Sequence, residues 1–97
     1  TGSFSTAVGT SALTAQTGAG AENTAVGHSS QLATTTGTGN SSFGEGSGKD
    51  ITTGSQNVMI GADTGRAASP SGSITTESNR LCMGNNTITN AYIMLIN

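Results

Sequence analysis

The chain has 97 residues, 32% hydrophobic and only 8% charged, with 15 Gly, three aromatic residues and a formal net charge of −2. Ordering a residue costs roughly 1–2 kcal/mol of backbone entropy, and a monomer this small offsets that by burying aromatic and large aliphatic side chains, which are scarce here. A conventional apolar monomer core is thereby excluded. Low net charge and regularly spaced apolar residues argue against disorder, so order through assembly is the expectation.

Other classes fall away quickly. Cys82 is the only cysteine, so no internal disulfide is available, and it reads as a small buried or strand-face residue. No run approaches the 18 apolar residues of a membrane span, and no basic leader of a signal peptide is visible. Lys49, Arg66 and Arg80 lie far apart, which argues against nucleic acid. A chain opening at Thr1 reads as a fragment or processed product.

In chain order, "STAVGTSALTAQTG" from Ser5 to Gly18 returns as "ENTAVGHSSQLATTTG" from Glu22 to Gly37. Apolar-Gly pairs recur at Val8-Gly9, Val26-Gly27, Phe43-Gly44, Ile60-Gly61 and Met83-Gly84, in steps of 18, 17, 17 and 23. Thr-Gly pairs at Thr1-Gly2, Thr17-Gly18, Thr36-Gly37 and Thr53-Gly54 keep a similar beat. A period near 17 marks a repeat whose units must stack, because none can bury a face alone.

The residues before each Gly predict a short strand. Thr6 and Val8, Thr24 and Val26, Ser41 and Phe43, Val58 and Ile60, and Leu81 and Met83 share one face. Ala7, Ala25, Ser42, Met59 and Cys82 share the other. Leu13, Leu32, Ile51 and Ile88 suggest a second short strand after the Gly turn, followed by a Thr/Ser/Gly/Asn loop. No segment has helical spacing. A single chain is expected to leave the inner stripe of such thin units half wet.

"STAVGTSAL" and "NTAVGHSSQL" resemble the N-T-A-[IV]-G-x-x-[AS]-L repeat of bacteriophage tail fibres, tailspikes and neck appendages, and the S-x-A-[IV]-G repeats of trimeric autotransporter adhesin heads. "NRLCMGNNTITNAYIMLIN", Asn79 to Asn97, is similar to the stretch before the self-cleaving C-terminal intramolecular chaperone of phage fibres and endosialidase-type tailspikes. The resemblance implies an all-β, homotrimeric, intertwined β-prism or triple β-helix-like stalk. It also implies a virion, extracellular location and autocleavage leaving Asn97 as the mature C-terminus. The expected organisation is stalk units over 1–65 and a C-terminal β module or tip over 66–97, with a loop at 66–79. "SSFGEGSGKDI" and "NVMIGADTG" depart from the repeat, the first with Phe43 in place of Val or Ile, the second lacking the following Leu.

Chemistry is sparse. His28 follows a repeat Gly at a place held by Thr10, Glu45, Ala62 and Asn85 in the other units, which reads as a solvent-facing turn. A Ser29–His28 triad completed by Asp50 or Asp63 can be written, but no G-x-S-x-G elbow supports it. Glu22, Glu45, Asp50, Asp63 and Glu77 lie in no aromatic-rich cleft that suits glycoside hydrolysis. "GTGNSSFGEGSG" lacks the context of a phosphate loop. The expectation is therefore no catalytic residue, no metal site and no cofactor. Tyr92, Arg80, Glu77 and Asn86 are the candidate contacts to a bacterial-surface glycan or outer-membrane receptor: an aromatic face stacks on a sugar, while Arg and Asn donate to hydroxyls. The function expected is mechanical extension and host attachment without membrane embedding, with a non-catalytic stalk of a capsule depolymerase and an adhesin head as alternatives.

Overall fold

A computed structural model describes residues 4–18 and 21–96. Five three-residue strands, β1 (Thr6–Val8), β2 (Thr24–Val26), β3 (Ser41–Phe43), β4 (Val58–Ile60) and β5 (Leu81–Met83), pair in parallel in chain order. Thr6, Thr24, Ser41, Val58 and Leu81 stand in one register column, and Val8, Val26, Phe43, Ile60 and Met83 in another. Each strand is followed by one coil that returns the chain to its own next strand, which makes the molecule a parallel β-solenoid. Thr1-Gly2 and Asn97, the expected mature C-terminus, lie outside the described residues.

Glycine closes each strand because the coils touch there. At Gly44, φ is +133° and an added Cβ would sit 2.6 Å from the carbonyl carbon of Gly61. No side chain fits in that gap. Gly9, Gly27 and Gly61 repeat the positive φ on neighbouring coils.

In the middle coils the interior is closed within one chain, contrary to the half-wet stripe expected from composition, while at the two ends Ala7 is exposed and Cys82 only partly buried. Polar ladders close it. Asn23, Asn40 and Asn57 precede β2, β3 and β4 and are fully buried. Asn40 Nδ2 donates to Gly54 O at 2.8 Å, and Asn57 Nδ2 donates to Glu77 O at 2.9 Å. The side-chain oxygens of Asn23 and Asn40 accept the backbone N–H of Asn40 and Asn57. A buried amide of this kind is tolerated only because its partners are fixed.

Along the axis the core changes from polar to apolar. Ala25 and Ser42 face inward from β2 and β3, and Ser42 Oγ meets Ser30 Oγ at 2.7 Å and Gln31 Nε2 at 2.9 Å. Met59 then replaces them on β4 and packs with Ile51, Ile74 and the partly buried Cys82. Burying Met59 and Ile51 is worth about 1.5–3 kcal/mol each. Room for Met59 comes from Gly48 and Gly65, where an added Cβ would lie 2.9 Å from its Cε and 2.7 Å from its Sδ, respectively.

Two sequence expectations are corrected. No second strand forms after the Gly turn; residues 9–15 and 28–33 are turns that bond from coil to coil, as in Leu13 N–H to Ser30 O at 3.1 Å. Leu13 is buried, but its place four residues past Gly9 corresponds to Gln31, Gly48 and Gly65, all at positive φ, and not to Leu32. Ile51 corresponds to the buried Thr34, and Ile88 is exposed. What the corner residues share is a positive φ, which periodicity in apolar residues does not register.

β2, β3 and β4 have both hydrogen-bonding edges filled by strands of the same chain. β1 and β5 each keep one edge without a strand partner among the described residues. Residues 66–79 lengthen one coil from 17 to 23 residues without interrupting the ladder, since β5 pairs with β4 in register.

Candidate functional site

Outward strand residues form a stripe along the sheet. Phe43 is 45%, Ile60 42%, Leu81 69% and Met83 64% exposed, with Val8 and Val58 also exposed. The alternation that sends Ala25, Ser42 and Met59 inward sends these large residues to the surface. Sequence patterning separated the two sets of residues and showed that this set becomes more apolar toward the C-terminus. It did not show that the more apolar set faces outward, because the inward places are filled by Ala, Ser and Asn.

At the C-terminal end of the stack, Glu77 and Arg80 border one cavity of about 330 Å³ together with Ile74, Asn79, Leu81 and Cys82. Two of the four candidate contact residues thus share a site. The other two stand apart: Asn86 donates its backbone N–H to Ala68 O at 2.8 Å, and Tyr92 is 95% exposed on the tail beyond β5. Glu77 Oε2 accepts the N–H of Thr75 at 2.8 Å and of Thr76 at 3.2 Å. The Thr75 bond foremost, then Glu77's own N–H, with lesser help from Thr76 and the charge of Arg80, holds this carboxyl below its ordinary range against an opposing effect of desolvation.

His28 is placed between two partners. Its Nε2 lies 3.3 Å from Ser29 Oγ and its Nδ1 3.5 Å from Glu45 Oε1. This has the order of a hydrolase triad, with Glu45 where the sequence offered Asp50 or Asp63. Those two instead flank Arg66, Asp63 by a direct ion pair and Asp50 at 3.9 Å. Ser29 is only 4% exposed, so the hydroxyl is shut away from a substrate. The glycine-rich segment is likewise committed: Gly44, Gly46 and Gly48 donate their N–H groups to Val26, His28 and Thr64 carbonyls. Among the described residues no three His, Cys, Asp or Glu side chains cluster as metal ligands.

The chain matches no family model, no curated protein sequence and no solved structure.

Proposed function

We propose that this chain is a structural, host-attachment segment of a homotrimeric bacteriophage tail fibre or tailspike, displayed on the virion and without catalytic activity of its own. The exposed apolar stripe carries the reading. A solenoid whose middle coils already close their own core has no internal need for Phe43, Ile60, Leu81 and Met83 on its surface, and contiguous apolar patches of this kind mark interaction faces. The stripe runs parallel to the solenoid axis, so three copies packed around a common axis would bury it along their length. Three identical C-terminal ends would then present Glu77 and Arg80 to a surface glycan or receptor with the gain of multivalency.

Light scattering tests the assembly: a mass three times the 9.5 kDa chain is expected. Ile60→Asp, which places a charge on the stripe, should give monomers with an unchanged circular dichroism spectrum. A native-like monomer for the parent chain at all concentrations would refute the reading. An adhesin head is a second reading, favoured by the filling of strand edges within one chain; attachment to a downstream coiled-coil neck would select it.

A further inference from the structure

The last strand, like β1, is paired along one edge alone among the described residues. In a parallel ladder alternate residues turn their N–H and C=O toward opposite neighbours. Val58 N–H donates to Arg80 O and Gly84 N–H donates to Ile60 O. This turns the peptide groups of Cys82 toward β4 and those of Leu81 and Met83 away from it. Among the described residues no strand pairs on that side. Two hollows of about 330 and 350 Å³ open there, and both are bordered by Ser71, Leu81 and Cys82.

The site suits a strand and not a further coil. Arg80 stands where Asn23, Asn40 and Asn57 stand in earlier coils, so the side-chain ladder ends. Ile88 Cδ1 lies over Gly84, in the space where the next coil's glycine would approach.

The same chain carries the complement. Ala91–Ile96 belongs to no helix or strand and has no strand partner among the described residues, and Tyr92, Ile93, Met94, Leu95 and Ile96 are 73–95% exposed. No charged residue occurs between Leu81 and Asn97. The tail leaves its own coil pinned by Ile88 over Gly84 and by the Asn86 to Ala68 bond.

We propose that Ala91–Ile96 adds as a sixth strand to β5 of a second copy, its backbone pairing with Leu81 and Met83 and its inward side chains filling the hollow beside Ile74 and Cys82. Strand addition of this kind draws affinity from main-chain bonds and specificity from alternate side-chain pockets. The proposal rests on the trimeric reading: each copy gives its tail to the next, and the heterologous contact closes after three.

Cys82, the only cysteine, supplies the test. Neighbouring strands lie about 4.8 Å apart, within the Cα separation that a disulfide spans. Ile93→Cys and Met94→Cys sample the two faces of the tail strand at exposed positions. Under mild oxidation one variant, and not the other, should give covalent dimers and trimers on a non-reducing denaturing gel. Their yield should exceed the parent's at least tenfold and be reversed by reductant. An intrachain disulfide would overturn the proposal by placing the tail on its own β5. So would equal cross-linking by both variants, or none by either while the solution mass stays trimeric; in these cases the trimer stands. Tail-dependent binding to phosphatidylglycerol vesicles without cross-linking would assign the tail to lipid instead. A monomeric mass for the parent chain would remove the trimer itself.

Discussion

The side-chain oxygen of Asn40 accepts the backbone N–H of Asn57 at 3.0 Å, across 17 residues of sequence and a single step of the solenoid. The same amide gives its N–H to Gly54 O at 2.8 Å. One residue thus satisfies two buried main-chain groups of the next coil. Replacing Asn40 by Ala should cost about 1–3 kcal/mol for each group left unpaired. Urea denaturation followed by circular dichroism checks this. A loss below about 0.5 kcal/mol would show that the amide ladder contributes little.

The glycine column should be intolerant in a different way. Gly44→Ala introduces a Cβ against the Gly61 carbonyl at a φ of +133°, where backbone strain and overlap act together. We expect a destabilisation above about 3 kcal/mol, seen as loss of the cooperative thermal transition. Gly72→Ala is the control: its φ is also positive, at +68°, but no atom lies within 4 Å of the added carbon. The difference between the two variants reports the coil-to-coil contact together with the greater backbone strain at +133°.

Thr34 offers a gain. It is fully buried and its Oγ1 has no hydrogen-bond partner among the described residues. Thr34→Val removes an unpaired hydroxyl with little change in shape, and occupies the interior column that holds Ile51 one coil on. The expected effect is a stabilisation of up to about 1–2 kcal/mol, read as a higher melting temperature. A lower one would mean that the hydroxyl is satisfied in solution.

Glu77 should impose a modest acid dependence on the turn at 75–77. Its carboxyl is held below the ordinary range by the Thr75 and Thr76 N–H groups and by Arg80. The folded pKa is thus lower than the unfolded one. The stabilisation is fully present above the unfolded carboxylate value and is lost as the pH falls through the lower folded value. Following the Thr75 amide by NMR from neutral pH downward should show a transition below the usual Glu range. Glu77→Gln should abolish it. A midpoint at or above that range would contradict the geometry.

The strand positions were legible in the sequence because their cues are local: a two-residue alternation ending in a glycine. The five predicted triplets, from Thr6–Val8 to Leu81–Met83, are the five strands. The core was not legible, because Asn23, Asn40, Asn57 and Gln31 fall in stretches that read as loop, and Ser42, though placed on a strand face, is too polar to announce that it is buried. Their partners lie on the next coil, so nothing in the neighbouring sequence announces that they are satisfied. The corner column failed for a related reason. Leu13, Gln31, Gly48 and Gly65 share a backbone conformation and no side-chain chemistry. Of the candidate contacts, Glu77 and Arg80 were brought to one cavity because they flank the same turn into β5, while Tyr92 and Asn86 lie beyond the last strand.

The register between β4 and β5 survives a coil of 23 residues as well as the earlier ones survive 17 or 18. Strand spacing, and not coil length, therefore sets how far the chain advances, about 4.8 Å for every circuit. Surplus residues go sideways, as Arg66–Ser73 does, without lengthening the stack. A shaft made this way has a gauge: its reach changes in whole circuits by duplication, while insertions between strands alter only its girth and the surface it presents.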